Sequence, residues 1–331
     1  MADADERLTL SESAARQLAN ATKTRAQWIG ITPRWLVNFL TWTPVEAGIF
    51  RLNRVKQTRG ATAVSADVVE SSPPKDRDED LPETFVDYDE TPREYFLSAI
   101  TTILDVQTRV SDLYSRPFDQ IQEQLRILIE KVKEQHEHEL INNPEYGLLA
   151  NVTPSMKIAP RFGAPTPDDL DELIALVWKE PAFFLAHPAA IAAFGRECTR
   201  RGVPPPTVNL FGSPFLTWRG LPLVPSDKVP LEDGKTPILL LRTGERKQGV
   251  VGLFQPGVPG EVSPSLSVRF MGINRKAIAS YLVSLYSSLA VLTEDALGVL
   301  QNTEIGKYHV YDHTYGASEH AQSKSRRSRN K

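Results

Sequence analysis

Between Thr32 and Pro44 the chain places Trp35, Phe39 and Trp42 at i, i+4 and i+7, the spacing of one helix face. Thr32 reads as the N-cap, Pro33 as the first helical residue, and Thr43–Pro44 as the stop. Before it, residues 1–31 form a polar arm with a short helical stretch around Ser13–Thr24. After it, alternation predicts one strand over Ala47–Lys56 and another over Thr84–Tyr88. The connection between them ends in SSPPKDRDEDLPE, whose proline, serine and charge predict a disordered insertion near 57–83.

From Thr91 the pattern reads as helical. Pro117 divides it into one predicted helix over Arg93–Tyr114 and a second over Phe118–Asn142. Ile121, Leu125, Leu128 and Val132 give the second a narrow apolar stripe, with Glu123, Arg126, Glu130, Lys131, Lys133 and Glu134 assigned to solvent. Thr166–Pro167–Asp168–Asp169 is a strong helix start for a segment reaching Trp178. A helix over Pro188–Arg200 follows, then strands at Val208–Leu210, Phe215–Trp218, Ile238–Arg242, Val250–Phe254 and Leu266–Met271. A helix over Arg275–Tyr286 and one or two closing strands across Leu289–Leu300 complete the expected order, and 309–331 reads as a disordered basic tail.

The 331 residues, 41% of them hydrophobic, suffice for a sizeable core. A net charge of -3 gives no general attraction to nucleic acid or anionic membranes, so neither is expected as a partner. The longest apolar stretch, Ile278–Leu292, is interrupted by four serines and is too short to cross a bilayer. With Asp3, Asp5, Glu6 and Glu12 in place of an apolar leader, the expected location is the cytoplasm.

The chemistry-bearing residues do not assemble into an active site. His136 and His138 lie two apart, not the four that would put two zinc ligands on one helix face, so the segment is assigned to a solvated helix end. Gly234–Lys235–Thr236 lacks the earlier glycine of a phosphate loop, since Val229 stands there, and reads as a polar turn. Cys198 has no evident base and reads as a small buried hydrophobe. No catalytic, cofactor-binding or metal residue is assigned. The aromatic face of Trp35, Phe39 and Trp42, joined by Trp28, Phe85 and Tyr88, is assigned to a subunit interface.

Several stretches carry a stronger message. ITPRWL (31–36), TFVDYDETPREY (84–95), INNPEYGLLA (141–150), GAPTPDDLDELI (163–174), VPSDKVPLEDGKT (224–236), GVVGLFQPG (249–257) and SVRFMGIN (267–274) resemble the family-two encapsulins, in order and along nearly the whole chain. Within that family the resemblance is to the subtype associated with a cysteine desulfurase.

The resemblance implies an α+β protein with the tailed-phage major capsid fold. It assigns 1–44 to an N-terminal arm and 45–96 to an extended loop. Residues 97–162 and 286–308 go to a peripheral domain with the spine helix 118–142, and 163–285 to an axial domain. The implied function is that of a non-enzymatic shell subunit, self-assembling into an icosahedral capsid around a cysteine desulfurase in sulfur metabolism or storage. Pyridoxal phosphate would belong to that cargo and not to this chain. A virus or prophage major capsid protein is the alternative on the same fold.

Overall fold

The computed structural model describes residues 28–53, 92–107, 120–276 and 278–308. The chain opens with α1 (Trp35–Phe39), β1 (Thr41–Pro44) and β2 (Ile49–Leu52). There follow β3 (Arg93–Phe96), β4 (Ser98–Gln107), the long helix α2 (Gln120–Asn142) and a short β5 (Lys157–Ile158). Next come α3 (Pro167–Leu176), β6 (Phe183–Ala186), α4 (Pro188–Arg200), β7 (Thr207–Leu210), β8 (Ser213–Trp218) and β9 (Leu221–Pro225). The chain closes with β10 (Lys235–Leu241), β11 (Val250–Phe254), β12 (Glu261–Ser263), β13 (Leu266–Ile273), β14 (Ile278–Val291) and β15 (Leu297–Glu304).

Two sheets organise these elements. In the first, β14 pairs on one side with β4 and on the other with β13 and then β11, set end to end; β1 adds in parallel to β11, and β12 to β13. Leu125, Leu128, Ile129 and Val132 of α2 pack on this sheet through Ile100, Leu266, Val268, Val283 and Leu285, so the expected apolar stripe is the seam. In the second sheet the order is β5-β15-β10-β6-β9-β8-β7. Its strands β6 and β10 are apolar almost throughout, as strands covered on both faces require. α3 and α4 cover this sheet, and Leu170, Leu173, Phe194 and Cys198 join its core.

Local signals explain the helix starts. Thr166 caps α3 in a complete capping box: its hydroxyl accepts from Asp169 N while the Asp169 carboxylate accepts from Thr166 N at 2.9 Å. His187 caps α4, its Nδ1 accepting from Ala189 N at 3.1 Å, with Pro188 at the first position.

Three expectations are corrected. The helix read over Arg93–Tyr114 is β3 and β4 as far as Gln107; 108–114 lie outside the described residues. Ile100, Ile103 and Leu104 satisfy a helical spacing, but Ile100, Thr102, Leu104 and Val106 also alternate, and β4 holds ten register pairs with β14. The helix read over Arg275–Tyr286 is the first half of β14, for the same reason: Ala279, Tyr281, Val283 and Leu285 share one sheet face. Third, α1 is a single short turn starting at Trp35 after a left-handed Arg34, and Trp42 lies on β1. Thr32 is therefore not its cap.

The strand read at Ala47–Lys56 is present as β2, but its partner is β3; the one read at Thr84–Tyr88 lies outside the described residues. Nor do the sheets divide along the expected segments. β11 to β14 sit with the long helix, whereas β15 belongs to the sheet of α3 and α4.

Candidate assembly surface and the docked N-terminal segment

Residues 32–45 are fastened to the body of the chain, chiefly by acids of α2. Glu134 accepts from Thr32 N at 2.9 Å and Thr32 Oγ1 at 2.7 Å, and pairs with Arg34 at 3.0 Å. Glu130 takes the same guanidinium at 2.7 Å, and Glu137 Oε1 accepts from Leu36 N at 3.0 Å. Lys228, from the loop after β9, closes the cluster through Glu134 at 2.8 Å. The three carboxylates follow one another by a helical turn: Glu137 satisfies a backbone donor in the first turn of α1, Glu134 one just ahead of it, and Glu130 holds the Arg34 side chain. β1 then extends the first sheet, and Val45 N donates to Phe254 O at 2.8 Å.

The electrostatics follow from burial. Burial alone raises the Glu134 carboxyl, yet Lys228 and the Thr32 donors hold it below the ordinary value. Glu137 has too little of such help, and burial pushes it up to about 7. His136 is pushed down to about 4 by burial and then by Arg34. The solvated helix end expected from the sequence is corrected in part: His136 and Glu137, with Glu134 before them, are buried under the docked segment, whereas His138 is exposed. No group of three or more His, Cys, Asp or Glu able to hold a metal exists among the described residues.

The residues assigned to an interface divide three ways. Trp35 and Phe39 meet Phe215 at 5.1 and 5.6 Å and Phe211 at 6.3 and 5.2 Å, and Phe39 also meets Phe183 at 5.0 Å. Trp42 lies against His136 at 5.6 Å and donates its indole N–H to Val37 O at 2.9 Å. These three half-buried rings thus contact their own chain, and Trp28 is half-buried before them. Phe85 and Tyr88 lie outside the described residues.

Other apolar side chains point away from the body. Phe270 is 57% and Ile273 68% exposed at the far end of β13, with Met271 between them and Ile103 exposed on β4. The outer edge of β4 and that of β13 beyond Ser267 have no strand partner among the described residues. The ribbon of β2 and β3 is anchored at its base by Tyr95, whose hydroxyl donates to Val291 O at 2.6 Å, and exposes Phe96. The sequence reading placed a strand over Leu266–Met271 and took SVRFMGIN as a family motif; the adjacent apolar Phe270 and Met271, both exposed where the pairing with β14 shifts register, were the available signal of an apolar surface there.

The remaining motifs are structural. Gly234, in the left-handed region at φ 72°, completes a tight turn in which Glu232 and Lys235 exchange backbone hydrogen bonds, as the polar-turn reading expected. Cys198 is free and fully buried, its thiol pushed up to about 11 by burial.

Comparison with known proteins places this architecture. Residues 54–307 match the family described as Type 2A encapsulin shell protein SrpI-like. The chain is 66% identical over 311 residues, 94% of its length, to the Type 2A encapsulin shell protein SrpI of Synechococcus elongatus, covering 99% of that relative. It is 61% identical over 93% of its length to a Type 2A encapsulin shell protein of Mycolicibacterium paratuberculosis, covering 98% of it. Among solved structures, the holo-SrpI encapsulin complex from S. elongatus matches with a TM-score of 0.79 at 64% identity, covering 92% of this chain and 100% of that one. A Microbacterium phage Oxtober96 structure matches in fold, with a TM-score of 0.57 at 13% identity over 88% of this chain and 99% of the other.

Proposed function

Since this chain belongs to the SrpI-like Type 2A encapsulin shell proteins, we propose that its copies close into an icosahedral compartment around a cysteine desulfurase. It is a structural shell subunit with the tailed-phage capsid fold, not an enzyme. The observation that carries the compartment is the likeness to the subunit of the holo-SrpI encapsulin complex over the whole length of that subunit.

The architecture supports the reading. In it, the sheet packed on α2 is the peripheral domain and the sheet of α3 and α4 the axial one. The β2–β3 ribbon, the open strand edges and the exposed Phe270, Met271 and Ile273 are contacts for neighbouring copies. Such heterologous contacts end in a finite shell when the rotation between copies closes. Trp35, Phe39 and Trp42 serve it by fixing the direction in which the N-terminal segment leaves the body.

The desulfurase, its pyridoxal phosphate, a cytoplasmic location and a role in sulfur metabolism or storage rest on the resemblance stated from the sequence. Neither nucleic acid nor a membrane is part of this reading. Among the described residues no helix is long and apolar enough to cross a membrane.

Negative-stain electron microscopy of the chain expressed alone tests the shell, and uniform hollow particles are expected. Co-expression with the desulfurase then tests the cargo: pyridoxal-phosphate absorbance should travel with the particles through a sizing column. A monomer or dimer under all assembly conditions overturns the compartment, while empty particles overturn only the cargo.

A further inference from the structure

Between the docked segment and the first sheet lies a groove of about 550 Å³, open to solvent on one side. Val37, Trp42, Phe254, Pro264 and Tyr286 wall it, and each keeps part of its surface exposed, so the groove presents an uncovered apolar lining.

The chain itself arrives at this groove. Ile31 N donates to Trp28 O at 3.4 Å, closing a turn just ahead of Pro33 and Arg34, which stand at the groove's edge. Such a turn brings its ends within about 7 Å and reverses the chain, so the residues ahead of Trp28 are sent back along the docked segment. Ile29 and Ile31 on the turn are 101% and 41% exposed, apolar side chains left uncovered by the described residues.

Residues 1–27 lie outside the described residues. Trp28 stands five residues before Pro33, so their Cα atoms are at most about 17 Å apart, and the arm reaches the groove with most of its length to spare. In the helix predicted around Ser13–Thr24, Ala14, Leu18 and Ala21 share one face at i, i+4 and i+7, with Arg16, Asn20 and Lys23 opposite. One leucine between alanines makes a slim apolar ridge.

We propose that residues 13–24 lie as a helix in the groove of their own chain, with Leu18 turned into it. Charge fixes the orientation, because Arg34 and Lys133 line the groove and a helix seated on its apolar face turns Arg16 and Lys23 away from them. Tethering favours the chain's own arm over a neighbour's, since a short linker sets an effective concentration of order millimolar. The arm would thus clamp the docked segment against the sheet from outside, whether or not the copies form a shell.

Photo-crosslinking of the full chain tests this. With p-benzoylphenylalanine in place of Leu18, irradiation should give a product of single-chain mass on a denaturing gel. Peptide mapping should place its crosslinks on the segments carrying Val37, Trp42, Phe254, Pro264 or Tyr286. The same group in place of Arg16, on the far face, should reach those segments at least about fivefold less often, as the helical spacing requires. Amides of 13–24 should also exchange slowly with deuterium in the parent and about tenfold faster in Leu18→Asp, which removes the buried leucine. A product of two-chain mass would hand the groove to a neighbour's arm. That result, crosslinks mapped elsewhere, equal yields from the two positions, or unaltered exchange in Leu18→Asp would each overturn the proposal.

Discussion

Glu137 and His136 are neighbours on α2 whose titrations oppose each other. The folded protein holds the Glu137 proton up to about pH 7, whereas an ordinary glutamate releases it near 4.5, so this group's contribution to stability falls as pH rises between those values. His136 acts in the other sense. Its folded value near 4 lies below the ordinary 6.5, so its contribution is full above 6.5 and is lost as pH falls toward 4. Glu137→Gln keeps an acceptor for Leu36 N and removes only the first effect. The variant should gain in melting temperature at pH 8 relative to the parent, by up to about 3 kcal/mol in stability, and gain much less at pH 5. An equal gain at both pH values would show that the carboxyl is not the titrating group. None of this was legible in the sequence, where His136–Glu139 looks like a solvated end. The burial of His136 and Glu137 within it is set by the segment carrying Thr32 and Leu36, about a hundred residues away. The aromatic side chains of the N-terminal segment were legible as important, but not their partners, because Phe183, Phe211 and Phe215 lie still farther along the chain.

At the scale of elements, legibility followed the strength of local chemistry. The capping box of α3 and the proline start of α4 fix those helices from within a few residues, and both were read correctly. β4 and β14 carry residues compatible with either period, and only their pairing with each other decides. The β1–β11 contact rests on a detail sequence patterning does not reveal. Gly252 lies under the ring of Trp42, and a Cβ there would stand 2.6 Å from it. Gly252→Ala should push β1 off β11 and destabilise the protein by about 1–3 kcal/mol, measured by denaturant unfolding. An unchanged midpoint would mean that the ring can move aside freely.

For the whole molecule, the fold was recoverable because resemblance runs along nearly the full chain, while the membership of the two sheets was not. β14 and β15 are close in sequence yet join different sheets, a choice made by long-range partners. The contacts between copies belong to this scale as well. Replacing both Phe270 and Ile273 by aspartate adds charge to the exposed end of β13 without touching the buried core. The variant should keep the parent's circular dichroism and lose particles in electron micrographs. Particles at undiminished yield would remove this strand end from the set of contacts.

β14 also has a mechanical consequence. Its fourteen residues, IASYLVSLYSSLAV, contain neither glycine nor proline and span about 45 Å as one strand. β13 and β4 flank its first half, and β11 its last residues. At Val291 it takes the hydroxyl of Tyr95 from the ribbon, and at Ile278 it reaches the far end of the sheet. A stiff bar coupled at one end transmits displacement instead of absorbing it. A tug on the ribbon base is therefore delivered across the subunit to the opposite tip, and the compliance of a wall built from such pieces resides in the joints between them.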